Sequence, residues 1–190
     1  MRLSALSFAA VALLAGTVQV HAADYAIDPT HTFASFEIGH MGTTTNRGRF
    51  DKKEGTVQFD RAAKTGKVEI SIDTTSINTG TAAFNKHLQS ADLFDAAKFP
   101  TAKFVSDKFS FNGDKVSEVT GTLTLLGKTQ PVTLKSTGFN CYESPMLKRE
   151  VCGGDFETTI DRTAFGMNYG LDWGFPKNVR IIVQVEAVKQ

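Results

Sequence analysis

Few residues of this chain have the types that do chemistry. His31, His40 and His87, together with Asp28 and Asp92, are the kinds of group that hold a metal ion or move a proton. Their spacing does not gather them. There is no H-x-x-x-H, no H-E-x-x-H and no Cys/His cluster to set two of them on one face of an element. His31 follows the Asp28-Pro29 turn, where bonding to local backbone is the simpler role, and His87 reads as a tie between its own segment and a strand. Arg162 stands just past an apolar Ile160, with an ion pair to Asp28 or Asp161 as its structural role. GTLTLLG lacks the Gly-Lys-Ser/Thr ending and the following helix of a phosphate loop, and Thr163 has no nucleophile-elbow glycines around it. The expectation is no catalytic residue, no metal and no cofactor.

The start of the chain sets the compartment. Residues 1–22 place one cation, Arg2, before an apolar run from Phe8 to Val18 and end Val20-His21-Ala22. That is the layout of a secretory signal peptide cut between Ala22 and Ala23, leaving residues 23–190 as one domain. The run is too short for the ~20 residues of a membrane span. Removing Arg2 brings the 21 Lys+Arg level with the 20 Asp+Glu. A chain of zero net charge has no global attraction to nucleic acid or to an anionic membrane. In an oxidising compartment the two cysteines, Cys141 and Cys152, are expected to pair. The bridge would close a Pro-containing connection and stabilise the fold by about 2–3 kcal/mol. A redox role would need the C-x-x-C spacing that is absent.

The elements that position these residues are mostly strands. Ala34, Phe36, Ile38 and His40 alternate with Ser35, Glu37 and Gly39; Val68, Ile70 and Ile72 alternate with Glu69, Ser71 and Asp73. Similar alternation runs through Val57-Phe59, 101–111, 119–125, 132–136, 156–160 and 181–186. About eight strands joined by short turns, one of them at Asn112-Gly113, favour an up-and-down antiparallel barrel. A two-sheet sandwich is the rival, which periodicity alone does not separate. Only 73–100 departs from alternation. Phe84, Leu88, Ala91, Leu93, Phe94 and Ala97 keep a rough helical spacing, with Thr79 or Thr81 capping one short helix, Ser90 capping a second, and Pro100 ending the segment. Such an insert suits a lid or plug.

Within that insert, SINTGTAAFNKHLQSADLFDAAKFPTAKF resembles the signature of the YceI-like family of periplasmic polyisoprenoid-binding proteins. The matching positions include Ser76, Thr79, His87, Leu88, Ser90, Asp92, Lys98, Phe99, Pro100 and Phe104. YAIDPTHTFASFEIGHMG, VTGTLTLLGKTQPVTL and IDRTAFGM resemble three further family blocks, in the right order. The resemblance implies an eight-stranded, lipocalin-like antiparallel barrel with a short helical insert, holding a long apolar lipid non-covalently. A polyprenyl or quinone-like molecule is the implied ligand. The expected lining is Phe36, Ile38, His40, Phe59, Ile70, Ile72, Phe104, Leu123, Leu125, Leu134, Phe156, Ile160, Ile181 and Val183. Phe84, His87, Leu88, Phe94, Arg162 and Phe165 are expected at the mouth and insert. Where the family has an Arg-Asp pair and a later Arg, this chain has Phe84, Asn85 and Gln89. If those positions lie at the mouth, a neutral head suits the site better than a phosphate. Alternatives are an enzyme using mouth histidines and a stress-related barrel filled by its own Phe side chains. Transient membrane contact and a monomer or homodimer are both compatible with the chain.

Overall fold

The computed structural model describes residues 22–190, so the expected leader lies outside the described residues but for Ala22. Eleven strands follow in order: β1 Ala23–Ile27, β2 Phe33–His40, β3 Thr44–Phe50, β4 Lys53–Asp60, β5 Thr65–Asp73, β6 Ile77–Asn78, β7 Thr101–Asn112, β8 Lys115–Leu125, β9 Lys128–Glu143, β10 Glu150–Asp161 and β11 Asn178–Lys189. Among the described residues a single α-helix, α1, spans Ala82–Gln89. Every pairing is antiparallel, and β1 returns to pair with β11 through Tyr25↔Lys189 and Ile27↔Ala187. That contact closes the sheet and excludes the open sandwich.

Eleven strands form eight staves because three of the staves are broken. β1 and β2 both pair with β11, with their register offset at the 28–32 corner. The corner begins as a turn at Asp28, whose carboxylate accepts from the Thr30 N–H at 2.8 Å. It closes where the buried Thr32 hydroxyl donates to the Glu186 carbonyl at 3.1 Å and accepts from the Glu186 N–H at 3.2 Å. The hydroxyl thus stands in for a missing ladder pair. β3 and β4 break at Asp51–Lys52, and β5 and β6 at a short 3-10 turn, Thr74–Ser76, capped by Asp73. With these three corners counted as bends, the meander of eight staves is complete.

A bulge in β7 explains a change of parity that alternation alone leaves odd. Ala102, Phe104 and Ser106 face inward, yet Phe109 and Phe111 pack against the core as well. The β7–β8 register shifts between Val105 and Lys108. Ser106 absorbs the extra residue: its hydroxyl donates to the Thr120 carbonyl at 2.7 Å and accepts from the Lys108 N–H at 3.0 Å. One extra residue turns the odd positions inward.

The insert differs from expectation in its second half. α1 follows Thr81, but no Thr81 hydroxyl bond caps it. Residues 91–98 form successive turns rather than a second helix, with Leu93 N–H bonding the Ser90 carbonyl and Phe99 N–H the Asp95 carbonyl. Asp95 sits at φ 42°, in the left-handed region that ends a helix. Ser90 caps no second helix; it is the C-cap of α1, its N–H donating to the His87 carbonyl at 3.1 Å, and its hydroxyl is buried without a partner. Thr74 anchors the far end: its hydroxyl donates to the Phe99 carbonyl at 2.8 Å and its N–H to the Pro100 carbonyl at 2.9 Å.

Candidate functional site

The inward faces enclose two apolar chambers stacked along the barrel axis. The larger, about 380 Å³, lies at the end carrying α1 and the loop from Arg162 to Lys177. The smaller, about 80 Å³, lies toward the β1 end. Successive inward residues divide between them: Ile72, Ala102 and Ile181 line the large chamber, while Ile70, Phe104 and Val183 on the same strands line the small one. The large chamber falls in the roughly 300–1,000 Å³ range of pockets that bury a small ligand.

Of the expected lining, Phe36, Ile38, His40, Ile72, Leu123, Leu125, Ile160 and Ile181 border the large chamber. Phe59, Ile70, Phe104, Leu134, Phe156 and Val183 border the small one. Alternation was a sufficient signal for all of them. Gly48 is what makes room for Phe36. The two are direct cross-strand partners, and a Cβ on Gly48 would stand 2.5 Å from the Phe36 ring. Charged residues of the same strands point outward: Glu37 accepts from Arg47 at 2.8 Å and from Arg180 at 2.9 Å, and Lys103 meets Glu69 at 2.6 Å.

The mouth is assembled by parts distant in sequence. Phe84, His87, Leu88 and Phe94 of the insert border the large chamber, Phe94 packing edge-on against Phe50 with ring centres 5.5 Å apart. His87 meets the Tyr169 ring at 5.1 Å, and Tyr169 meets Trp173 at 5.2 Å. His87 therefore ties the insert to the 162–177 loop, not to a strand. His40, at the end of β2, packs against Phe175 at 5.2 Å. Tyr169, Trp173 and Phe175 escaped the sequence reading because a loop has no period to flag its inward residues. Gly170 was the available hint: it holds φ 77°, and a Cβ there would strike the Phe175 ring at 2.9 Å.

Two mouth residues take other places. Phe165 is fully buried beneath the loop and does not border the chamber. Arg162 borders the chamber but is only 3% exposed, so it lies within the wall and not on the rim. Neither expected ion pair forms. Asp28 is bonded to Thr30 and His31, and Asp161 to Thr163 and Lys177. Arg162 instead donates through Nε to the Pro176 carbonyl at 2.9 Å and through Nη1 to the Met167 carbonyl at 2.8 Å. Burial pushes its pKa below the ordinary arginine value. The departures from the signature prove to be braces: Asn85 Oδ1 accepts from the Thr79 N–H at 2.8 Å, and Gln89 Nε2 donates to the Thr75 carbonyl at 2.8 Å. Only Phe84 of the three borders the chamber.

Elsewhere, Cys141 and Cys152 are direct partners across β9 and β10 and form a disulfide. Among the described residues, Cys141, Glu150 and Cys152 cluster closely enough to suggest a metal centre, but both sulfurs are committed to that bond. Glu150 accepts from the Tyr25 hydroxyl at 2.6 Å and from Arg61 at 2.8 Å. Burial first, and then this carboxylate, push the Tyr25 phenol well above its ordinary pKa. Tyr25 also lines the small chamber and packs edge-on against Phe59.

An antiparallel barrel closed through eight staves, with an apolar interior capped at one end, defines a class built to enclose. The chain belongs to the YceI-like domain family, whose profile matches residues 25–187. It is 37% identical over 191 residues to a UPF0312 protein of Pseudomonas fluorescens, covering 99% of this chain and 97% of that one. Among solved structures it resembles BcnA of Burkholderia cenocepacia, with TM-score 0.70 and 27% identity over 84% of this chain and 98% of the other. A polyisoprenoid binding domain from Saccharophagus degradans shares the fold, with TM-score 0.64 and 16% identity over 87% of this chain and 98% of that one.

Proposed function

We propose that this protein is a non-catalytic carrier that holds an isoprenoid-type lipid, non-covalently, inside the barrel. The observation that carries the reading is the large chamber, bordered by apolar side chains from both the strands and the insert. Burial there is the chemistry: roughly 0.8 kcal/mol per CH₂ gives about 3–4 kcal/mol for each five-carbon unit before ordering costs. Several units outweigh the about 4–15 kcal/mol lost on association. Family membership and the polyisoprenoid-binding description of one structural neighbour support the ligand class. The leader-like residues 1–22 support a periplasmic location, and the disulfide is compatible with it. Among the described residues no helix is long and apolar enough to cross a membrane.

The test is native mass spectrometry, with lipid extraction, on protein purified from the periplasm of its own source. A stoichiometric isoprenoid is the expected result. A compact barrel with no lipid would overturn the carrier reading, and a lipid chemically altered on incubation would replace it with an enzyme.

A further inference from the structure

The β1 end of the barrel gathers side chains that lipid binding does not use. Cys141 on β9 and Cys152 on β10 are 11 residues apart in the chain, a spacing with no metal-ligand motif, yet the hairpin makes them direct partners. Glu150 stands two residues before Cys152, on the same face of β10. Its carboxylate offers an oxygen within 4.8 Å of both sulfurs. The Tyr25 hydroxyl, 3.9 Å from Cys152 Sγ, donates to Glu150 Oε1 at 2.6 Å and so aims the carboxylate. Arg61 at 2.8 Å and Lys189 at 3.6 Å approach the same carboxylate. The Tyr25 bond, acting against burial and helped by Lys189 and Arg61, holds the Glu150 carboxyl below its ordinary range, so this group is ionised without a metal. Stapling the hairpin explains the two sulfurs but gives no role to a carboxylate held against them.

We propose that the reduced form of this protein binds one zinc-like divalent cation through Cys141 Sγ, Cys152 Sγ and a Glu150 carboxylate oxygen, so that the hairpin exchanges its disulfide for a metal clip. The site is separate from the large chamber and does not rest on the lipid-carrier reading. The exchange needs a dithiol reductant. One thiolate of the reductant attacks Sγ of Cys141, the more exposed sulfur, and the S–S electron pair leaves with Cys152 Sγ. The second thiol of the reductant then displaces Cys141, giving two protein thiols and a cyclic, oxidised reductant. Binding the cation releases both thiol protons to solvent. Zn–S bonds of about 2.3 Å in tetrahedral array set the sulfurs about 3.8 Å apart, a separation that side-chain rotation supplies between directly opposed residues. Two thiolates, one carboxylate and a divalent cation leave a single negative charge, which Arg61 and Lys189 offset. Two sulfurs select zinc, cobalt or cadmium over magnesium and calcium, and water completes the fourth position.

The probes are cobalt(II) and zinc, added to purified protein reduced with dithiothreitol and freed of it by anaerobic gel filtration. The reduced protein should take up one ion, show the sulfur-to-metal absorption of tetrahedral cobalt thiolate, and release two protons per ion. The oxidised protein should do none of these. Zinc at a hundredfold over its Kd should raise the melting temperature of the reduced chain by about 5–10 °C. Glu150→Gln should still form the disulfide, but when reduced should bind zinc about tenfold or more weakly. Absence of the sulfur-to-cobalt absorption, equal uptake by the oxidised protein, or undiminished zinc affinity in Glu150→Gln would each overturn the inference. If the reduced chain does not stay folded without metal, zinc must restore a cooperative melting transition; uptake without that recovery would place the metal on an unfolded chain and overturn it as well.

Discussion

His31 and Asp28 show how a residue conspicuous for chemistry can serve as structure. Their side chains meet at 2.8 Å at the β1–β2 corner, away from both chambers. Burial alone would raise the Asp28 pKa, but bonds from His31 and Thr30 outweigh it and hold the carboxyl at about 2 against an ordinary 3.8. The same bond raises His31 above 6.5. Asp28 therefore adds stability that is present above 3.8 and lost as pH falls toward 2. His31 adds stability that is present below 6.5 and lost as pH rises through its raised folded value. The pair contributes most between those limits. An NMR titration should place the His31 midpoint above 6.5 in the wild type and return it toward 6.5 in Asp28→Asn; identical midpoints would remove the pair from the account. Gly48 makes the complementary point about space. Gly48→Ala would press a methyl into the Phe36 ring, and a loss of about 1–3 kcal/mol is expected on chemical unfolding. An unchanged midpoint would mean that the ring moves freely into the chamber.

At the scale of elements, the β9–β10 hairpin and the insert are held by different means. The hairpin extends well beyond the apolar 132–136 and 156–160 segments, through a stretch rich in Gly and polar residues. The disulfide pins that extension across directly opposed residues. Replacing Cys141 and Cys152 together by Ala should lower the melting temperature by about 4–12 °C, from about 2–3 kcal/mol of lost chain-entropy stabilisation. Lipid binding in the large chamber should survive, since neither cysteine borders it. Alkylation of the natively purified protein without reductant would show the thiols free and sink this reading. The insert depends on hydrogen bonds at its ends. Thr74→Val would leave the Phe99 carbonyl without its hydroxyl donor. About 1–3 kcal/mol of destabilisation is expected, with amide exchange accelerating first across α1. Uniform acceleration through the barrel would show that the insert does not open on its own.

For the molecule as a whole, the central test is which face of the wall meets the ligand. Ile72→Asp or Leu123→Asp places a carboxylate against the large chamber, where an unpaired charge is strongly disfavoured. Lipid co-purification should be lost in both. Glu69→Ala removes an outward charge paired with Lys103 and should leave co-purified lipid unchanged, because exposed pairs contribute about 0–1 kcal/mol. Equal losses from the two faces would mean that the lipid lies outside the barrel.

Much of this wall was legible in the chain. Side-chain direction along a strand has a period of two, so Phe36, Ile72, Leu123 and Ile181 declare their faces through their immediate neighbours. The Asn112-Gly113 turn, the break in alternation after Asp73 and the pairing of the two cysteines are equally local or compositional. Closure was not. It rests on Tyr25 meeting Lys189, residues from opposite ends of the chain, and no local pattern reports a long-range pairing. The corner at Thr32 and the bulge at Ser106 follow from that closure, since long strands must bend to wrap a barrel. Loops carry no period, so the aromatic mouth of Tyr169, Trp173 and Phe175 appeared only in three dimensions. Arg162 is the sharpest case. Its sequence neighbour Asp161 offered an obvious partner, but the backbone at the end of β10 turns that carboxylate toward Thr163 and Lys177 and the guanidinium into the wall. Residue types and alternation determined an apolar tube; only the packing of a loop over its end decided where a charge stands inside it.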